Sequence, residues 1–146
     1  MSAPTFREVI RPPFWLISFI YFMLFSLVLA IWAAFDNQIA LICALIALMM
    51  GAVIFFRASK EITCDGKELR VGRAHIEYKY CGDVTVLSRE EFLKARTRGV
   101  DPAAYLALLF WVSEGVRISV NDERDSTPYW LISTKRGEDL KRALQK

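Results

Sequence analysis

The chain has 146 residues, of which 54% are hydrophobic, 13% aromatic and 24% charged, with a formal net charge of +3. This length admits one ordinary domain and excludes large multi-domain enzymes and long solenoids. The aromatic content excludes a disordered chain, and the charge is too plentiful for a protein made only of membrane helices.

Residues 1–13 are expected to be a short cytoplasmic N-terminal segment carrying Arg7 and Arg11. From Pro12 to Phe56 there is no Lys or Arg, and the only charge is Asp36. Residues 14–35 form a run of 22 uncharged residues. As a helix this run is about 33 Å long, enough to cross a hydrocarbon core of about 30 Å. Pro12 and Pro13 precede it, where a helix start tolerates a missing backbone donor. Residues 36–38 are a polar break and the expected external turn. Residues 39–56 are 18 more uncharged residues and the expected second span. Phe14, Trp15, Trp32, Phe35, Phe55 and Phe56 lie near the span ends, as an interfacial aromatic belt would.

The first run is too long for a signal-peptide core, and no small-x-small cleavage site follows cleanly. Arg7 and Arg11 flank one end of the pair of runs, and Arg57 and Lys60 the other. The positive-inside rule then puts both termini in the cytoplasm of a multi-pass plasma (inner) membrane protein. Ala40, Ala44, Ala47 and Gly51 lie on one face of the second span and permit close helix approach. They are expected to pack on the first span, which offers Ser26, Ala30 and Ala33, or on a helix of another protein.

Residues 57–146 are expected to be a cytoplasmic domain. Glu61 to Cys64 reads as a strand, Asp65-Gly66 as a hairpin turn, and Glu68 to Val71 as the next strand. After Gly72-Arg73 come a strand from Ala74 to Tyr80, a turn at Gly82-Asp83, and a strand through Val84, Val86 and Leu87. Ser88-Arg89-Glu90-Glu91 fits a capping box, so a helix starts there and ends near Gly99. Tyr105 to Val112 is read as a buried strand, too short to span a membrane. Val116, Ile118 and Val120 alternate with polar residues as a half-buried strand. Pro128 to Thr134 is the last strand. A helix with Leu140, Ala143 and Leu144 on its buried stripe closes the chain.

The fold class expected is therefore an α+β membrane protein: a two-helix transmembrane hairpin, then a small cytoplasmic pleckstrin-homology-like β-barrel with a C-terminal helix. A plain α+β sandwich is the alternative. The sequence also resembles the actinobacterial membrane proteins grouped as domain-of-unknown-function family 3093. The resemblance rests on Glu68-Leu69-Arg70-Val71-Gly72, on Asp101-Pro102-Ala103-Ala104-Tyr105, and on Thr127-Pro128-Tyr129-Trp130-Leu131-Ile132-Ser133-Thr134 followed by two basic residues. It covers nearly the whole chain. It departs at Gly137, where the family pattern implies Pro. The resemblance implies no established activity and no catalytic residues.

The residues themselves suggest little chemistry. His75 is the single histidine and sits on an expected strand. Cys43, Cys64 and Cys81 form no CxxC pair, and with one histidine they do not make an ordinary zinc site. In a cytoplasmic domain Cys64 and Cys81 are expected as reduced thiols. Gly66-Lys67 lacks the glycine loop of a phosphate-binding motif. No catalytic, cofactor-binding or metal residues are expected, and no cofactor. Arg57, Lys60, Lys67, Arg70, Arg73 and Lys79 cluster at the start of the domain and are candidates for lipid headgroup contact. Trp111, Tyr129 and Trp130 are candidates for a partner contact, because strand neighbours face opposite ways and one of Tyr129 and Trp130 should then be exposed unless the last helix or the membrane covers it.

The function expected is a membrane-anchored, non-enzymatic binding or scaffold module. The alternative is an accessory subunit of a larger membrane enzyme complex, respiratory or envelope-synthetic. The expected partners are membrane lipid and a membrane protein complex or second copy, and not nucleic acid. An enzyme on lipid-linked substrates, with His75 as its test residue, is a third reading.

Overall fold

A computed structural model describes residues 6–145. Residues 1–5 of the expected N-terminal segment and Lys146 at the end of the expected last helix lie outside the described residues. The chain divides into two compact units: Ile10–Lys60, and a unit built from the residues through Val9 together with Glu61 onward.

The first unit is a helical pair, α1 (Phe14–Ala34) and α2 (Asn37–Ala58). Both are long and apolar enough to cross a membrane. The turn between them is short, and Trp32 Nε1 donates to Asn37 Oδ1 across it at 2.6 Å. On α1 the half-buried residues include Ile17, Tyr21, Leu24, Val28 and Ile31, at spacings of four and three. On α2 the covered face is the small-residue stripe: Ala40 and Gly51 are buried, Ala44 and Ala47 half-buried. Large side chains on one helix thus meet small ones on the other. At Gly51 an added Cβ would lie 2.6 Å from Cζ of the Tyr21 ring. The stripe lies against α1 at Tyr21, whereas Ser26, Ala30 and Ala33, the residues expected to meet it, are all exposed. Bulk, rather than smallness on both sides, fills the seam.

The second unit holds two four-stranded sheets. The first has the order β1-β2-β3-β4, from β1 (Phe6–Ile10), β2 (Lys60–Cys64), β3 (Glu68–Val71) and β4 (Ala74–Glu77). The second has the order β5-β7-β8-β6, from β5 (Cys81–Leu87), β6 (Tyr105–Ala107), β7 (Gly115–Val120) and β8 (Tyr129–Ser133). Neither sheet closes into a barrel, so the barrel expected from the sequence is corrected to two open sheets. The change of sheet falls at Tyr78–Tyr80, a single 3₁₀ turn. Gly82-Asp83, expected as that turn, lies inside β5, where the register against β7 slips between Cys81 and Val84. The slip is a bulge, and Gly82 fits because a Cβ there would crowd Asn121 and the Ser119 hydroxyl. The expected strand Tyr105 to Val112 shortens to β6. It pairs parallel with β8, and beyond Ala107 the buried Ser133 Oγ accepts from Leu109 N at 2.9 Å.

β1 is the largest departure. Within the stretch expected as a short cytoplasmic N-terminal segment, Phe6–Ile10 form a strand that joins the first sheet. Phe6, Glu8 and Ile10 are buried, and Arg7 and Val9 are exposed. The Glu8 carboxylate accepts from the Thr134 hydroxyl and from Lys135 N, the latter at 3.1 Å. Since Thr134 directly follows β8, this buried carboxylate ties one sheet to the other.

Two helices complete the unit. α3 (Arg89–Thr97) begins with the expected capping box between Ser88 and Glu91. Its Phe92 packs with Tyr129 and Leu131 on one face of the second sheet. α4 (Gly137–Leu144) buries Leu140 and Ala143. Gly137 is its first residue, and an added Cβ would sit 3.0 Å from a Val86 methyl and 3.2 Å from one of Val116. Close approach to the sheet accounts for glycine where the resemblance implies proline.

Candidate functional site

The six candidate headgroup residues do not form one cationic surface. On the outward face of the first sheet, Arg70 is paired with Glu68 on its own strand. Lys79 pairs with Glu77 at 2.7 Å and lies 4.6 Å from the Tyr80 ring centre. Arg7, from the strand the sequence did not reveal, pairs with Glu61 at 2.7 Å. Exposed pairs of this kind contribute little stability, but they cancel charge locally. The rest are scattered. Lys67 belongs to the β2–β3 turn. Arg73 lies in the β3–β4 turn, at the opposite end of β3, where Gly72 N donates to Glu61 O at 2.9 Å. Lys60 starts β2, and Arg57 lies in the last turn of α2.

The aromatic candidates are also redistributed. Tyr129 and Trp130 do face opposite ways, yet both are 6% exposed. The expectation that one of them would be a free contact is corrected, because both faces of β8 are covered. α3 covers Tyr129, and Tyr105 packs on Trp130 with ring centres 4.4 Å apart and planes tilted by 43°. Tyr129 is a clamp. Its hydroxyl donates to Gly99 O at 3.2 Å and accepts from Asp101 N at 2.9 Å, fixing the chain after α3. Asp101 in turn caps Ala103 N at 2.9 Å. Trp111 is half-buried, with its indole N–H enclosed and unpartnered among the described residues. The exposed aromatic of this region is its neighbour Phe110, at 64%. Sequence reasoning missed it because it sits in a run that reads as core.

His75 is exposed on β4, opposite Arg70 of β3. With Glu77, Tyr80, Asp122 and Asp125 it borders an open cavity of about 190 Å³. Among the described residues no three of His, Cys, Asp and Glu converge as metal ligands. The three cysteines are free thiols. Burial pushes the Cys64 thiol up, and it pushes Cys81 up to about 11, with the nearby Cys64 adding to it. Tyr78 is raised by burial and by the same Cys64. These groups are protonated at neutral pH and poor nucleophiles. Raising a thiol from 9 to about 11 cuts its thiolate fraction about a hundredfold, partly offset by the higher nucleophilicity of the more basic thiolate. Native Cys81 should therefore react with iodoacetamide at pH 7.5 at least about tenfold more slowly than in urea-unfolded protein. Peptide mass spectrometry reads this directly, and equal rates would refute the burial.

The geometry defines a class: a two-sheet α+β unit that incorporates its own N-terminal strand, joined to a pair of long apolar helices. A family model described as protein of unknown function (DUF3093) matches residues 5–144, and the chain belongs to that family. Searches of the curated proteins and of the solved structures return no match.

Proposed function

We propose that the protein is a membrane-anchored, non-catalytic binding module, with the hairpin of α1 and α2 holding the two-sheet unit at the cytoplasmic face of the plasma membrane. One observation carries this reading. β1 precedes α1, the other strands follow α2, and all belong to one folded unit. If α1 and α2 cross the membrane, both ends of the hairpin must then be on one side. The basic flanks at Arg7, Arg11, Arg57 and Lys60 favour the cytoplasmic side. The exposure of large apolar side chains around α1, among them Phe19, Phe22, Phe25 and Leu29, suits a lipid surround. In this reading the module acts by placement: it presents a surface at the inner leaflet to lipid or to a partner protein.

The accessory-subunit alternative drew its support from the stripe Ala40 to Gly51. That stripe is covered by α1 of the same chain, which leaves the alternative without a residue to carry it.

Reporter fusions and a pull-down test the proposal together. Green fluorescent protein after Lys146 should fluoresce, while alkaline phosphatase should be active only when fused at Asn37. The full chain, drawn from native membranes in mild detergent, should bring a stoichiometric protein or an enriched anionic lipid. An active phosphatase at the C-terminus would overturn the placement. A lone monomer with bulk lipid would overturn the binding role.

A further inference from the structure

One cavity in the two-sheet unit is lined by cations without a single acid. It has a volume of about 360 Å³ and lies between α3 and the second sheet, bordered by Lys94, Ala95, Arg98, Gly99, Arg117 and Tyr129. Lys94 and Arg98 are one helical turn apart and so share a face of α3. Arg117 comes from a different element. The β7–β8 register pairs Arg117 with Leu131 and Ser119 with Tyr129, so Arg117 and Tyr129 are diagonal neighbours on the sheet face that α3 covers. The Arg117 guanidinium lies 4.1 Å from the Tyr129 ring centre. That ring is itself locked by its hydroxyl bonds to Gly99 and Asp101. The cation thus lies over the ring, and with no ion pair among the described residues its N–H groups remain able to donate.

Lys94, Arg98 and Arg117 form no ion pair among the described residues, which they share with surface cations such as Lys67 and Arg73; what sets them apart is that they line one cavity. Of the acids on adjoining segments, Asp101 caps Ala103 N, and Glu91 closes the capping box while its charge also acts on Lys94 one turn on. Glu90, one turn before Lys94, makes no ion pair with it. A helix C-terminus attracts cations, which accounts for Lys94 and Arg98 taken singly. It does not account for Arg117 arriving at the same cavity from a strand.

We propose that this cavity binds a phosphate-type oxyanion. A preorganised arginine edge and two further cations suit such a group, and the cavity has room for more than the oxyanion itself. The shared chemistry is a phosphate, either free or on a lipid headgroup. The proposal does not depend on α1 and α2 crossing a membrane.

The test is an NMR titration of the full chain in neutral detergent at constant ionic strength, following arginine side-chain N–H signals and the amides of residues 94–99. The probes are inorganic phosphate and a short-chain, water-soluble phosphatidic acid. Saturable binding of at least one probe is expected. Arg117→Gln, or Lys94→Gln with Arg98→Gln, should weaken it about tenfold or more. Lys67→Gln with Arg73→Gln, the same change in charge elsewhere, should leave it intact. Should Arg117→Gln lose its fold, the exposed helix pair still decides the matter. Competition between the probes, or binding of phosphate alone, supports a site open to free phosphate. Binding of the lipid alone supports a headgroup site. No saturation with either probe, or equal weakening in the Lys67 and Arg73 control, overturns the proposal.

Discussion

A fragment of residues 57–146 should not fold cooperatively, although it contains everything the sequence suggests the domain needs. Joining residues 1–11 to that fragment through a flexible Gly/Ser linker should restore a sharp urea transition. The reason is β1. Without it, Phe6, at 5% exposure, is no longer buried, which removes about 2 kcal/mol. The Thr134 hydroxyl and Lys135 N lose the Glu8 carboxylate, at a further cost of about 1–3 kcal/mol. β2 also becomes an unpaired edge, open to aggregation. Together these losses approach the lower end of a small domain's stability, about 5 kcal/mol. Glu8→Ala alone, in the full chain, should lower stability by about 2 kcal/mol. A well-resolved amide spectrum and an unchanged urea midpoint for the short fragment would show β1 to be dispensable.

β1 was illegible for a physical reason. Its inward residues are Phe6, Glu8 and Ile10, so the apolar alternation is broken by a charge, and that charge is buried only because of partners up to 127 residues away. Next to a long apolar run, the same arginines read as a topological flank. The hairpin itself was legible, because 22 uncharged residues leave few alternatives. α3 was legible because its capping box is local. Gly82-Asp83 misled because a bulge and a turn select the same residues. The actual connection, Tyr78-Lys79-Tyr80, has none of the usual turn residues.

The candidate site failed in the same way. Period two correctly set Tyr129 and Trp130 on opposite faces, but it says nothing of what covers each face. The basic residues from Arg57 to Lys79 were visible as a run. Their cancellation by Glu68 and Glu77, and the wide separation of Lys67 from Arg73, appear only in the folded sheet. Conversely, Lys94 and Arg98 share a helix face in any reading. Their meeting with Arg117 needs the β7–β8 register. The segments that carry the family resemblance turn out to fix the fold. Gly72 supplies a positive φ of 62° between β3 and β4. Asp101 caps a turn, and Tyr129 clamps it.

Gly115→Ala should lower the unfolding free energy by about 3 kcal/mol, the largest effect expected of a single methyl group in this chain. Gly115 begins β7, and a Cβ there would overlap both the Ile132 carbonyl oxygen and the Phe92 ring. Phe92 is fully buried and anchors α3 to the sheet, so the ring cannot swing aside without opening the Phe92–Tyr129–Leu131 cluster. The carbonyl belongs to β8, which pairs with β7 along this stretch, and moving it disturbs that ladder. Overpacking of this kind costs about 1–3 kcal/mol, more when backbone must shift. It outweighs the ~0.5–1 kcal/mol that alanine gains over glycine in a strand. A double-mutant cycle with Phe92→Leu separates the two obstacles. If the ring dominates, the second substitution relieves the first and the pair couples by about 1–2 kcal/mol. If the carbonyl dominates, the two losses add. An unchanged urea midpoint for Gly115→Ala would mean that α3 does not bear on the sheet at this point. The cavity between Lys94, Arg98 and Arg117 would then lose the rigid wall that holds its cations together.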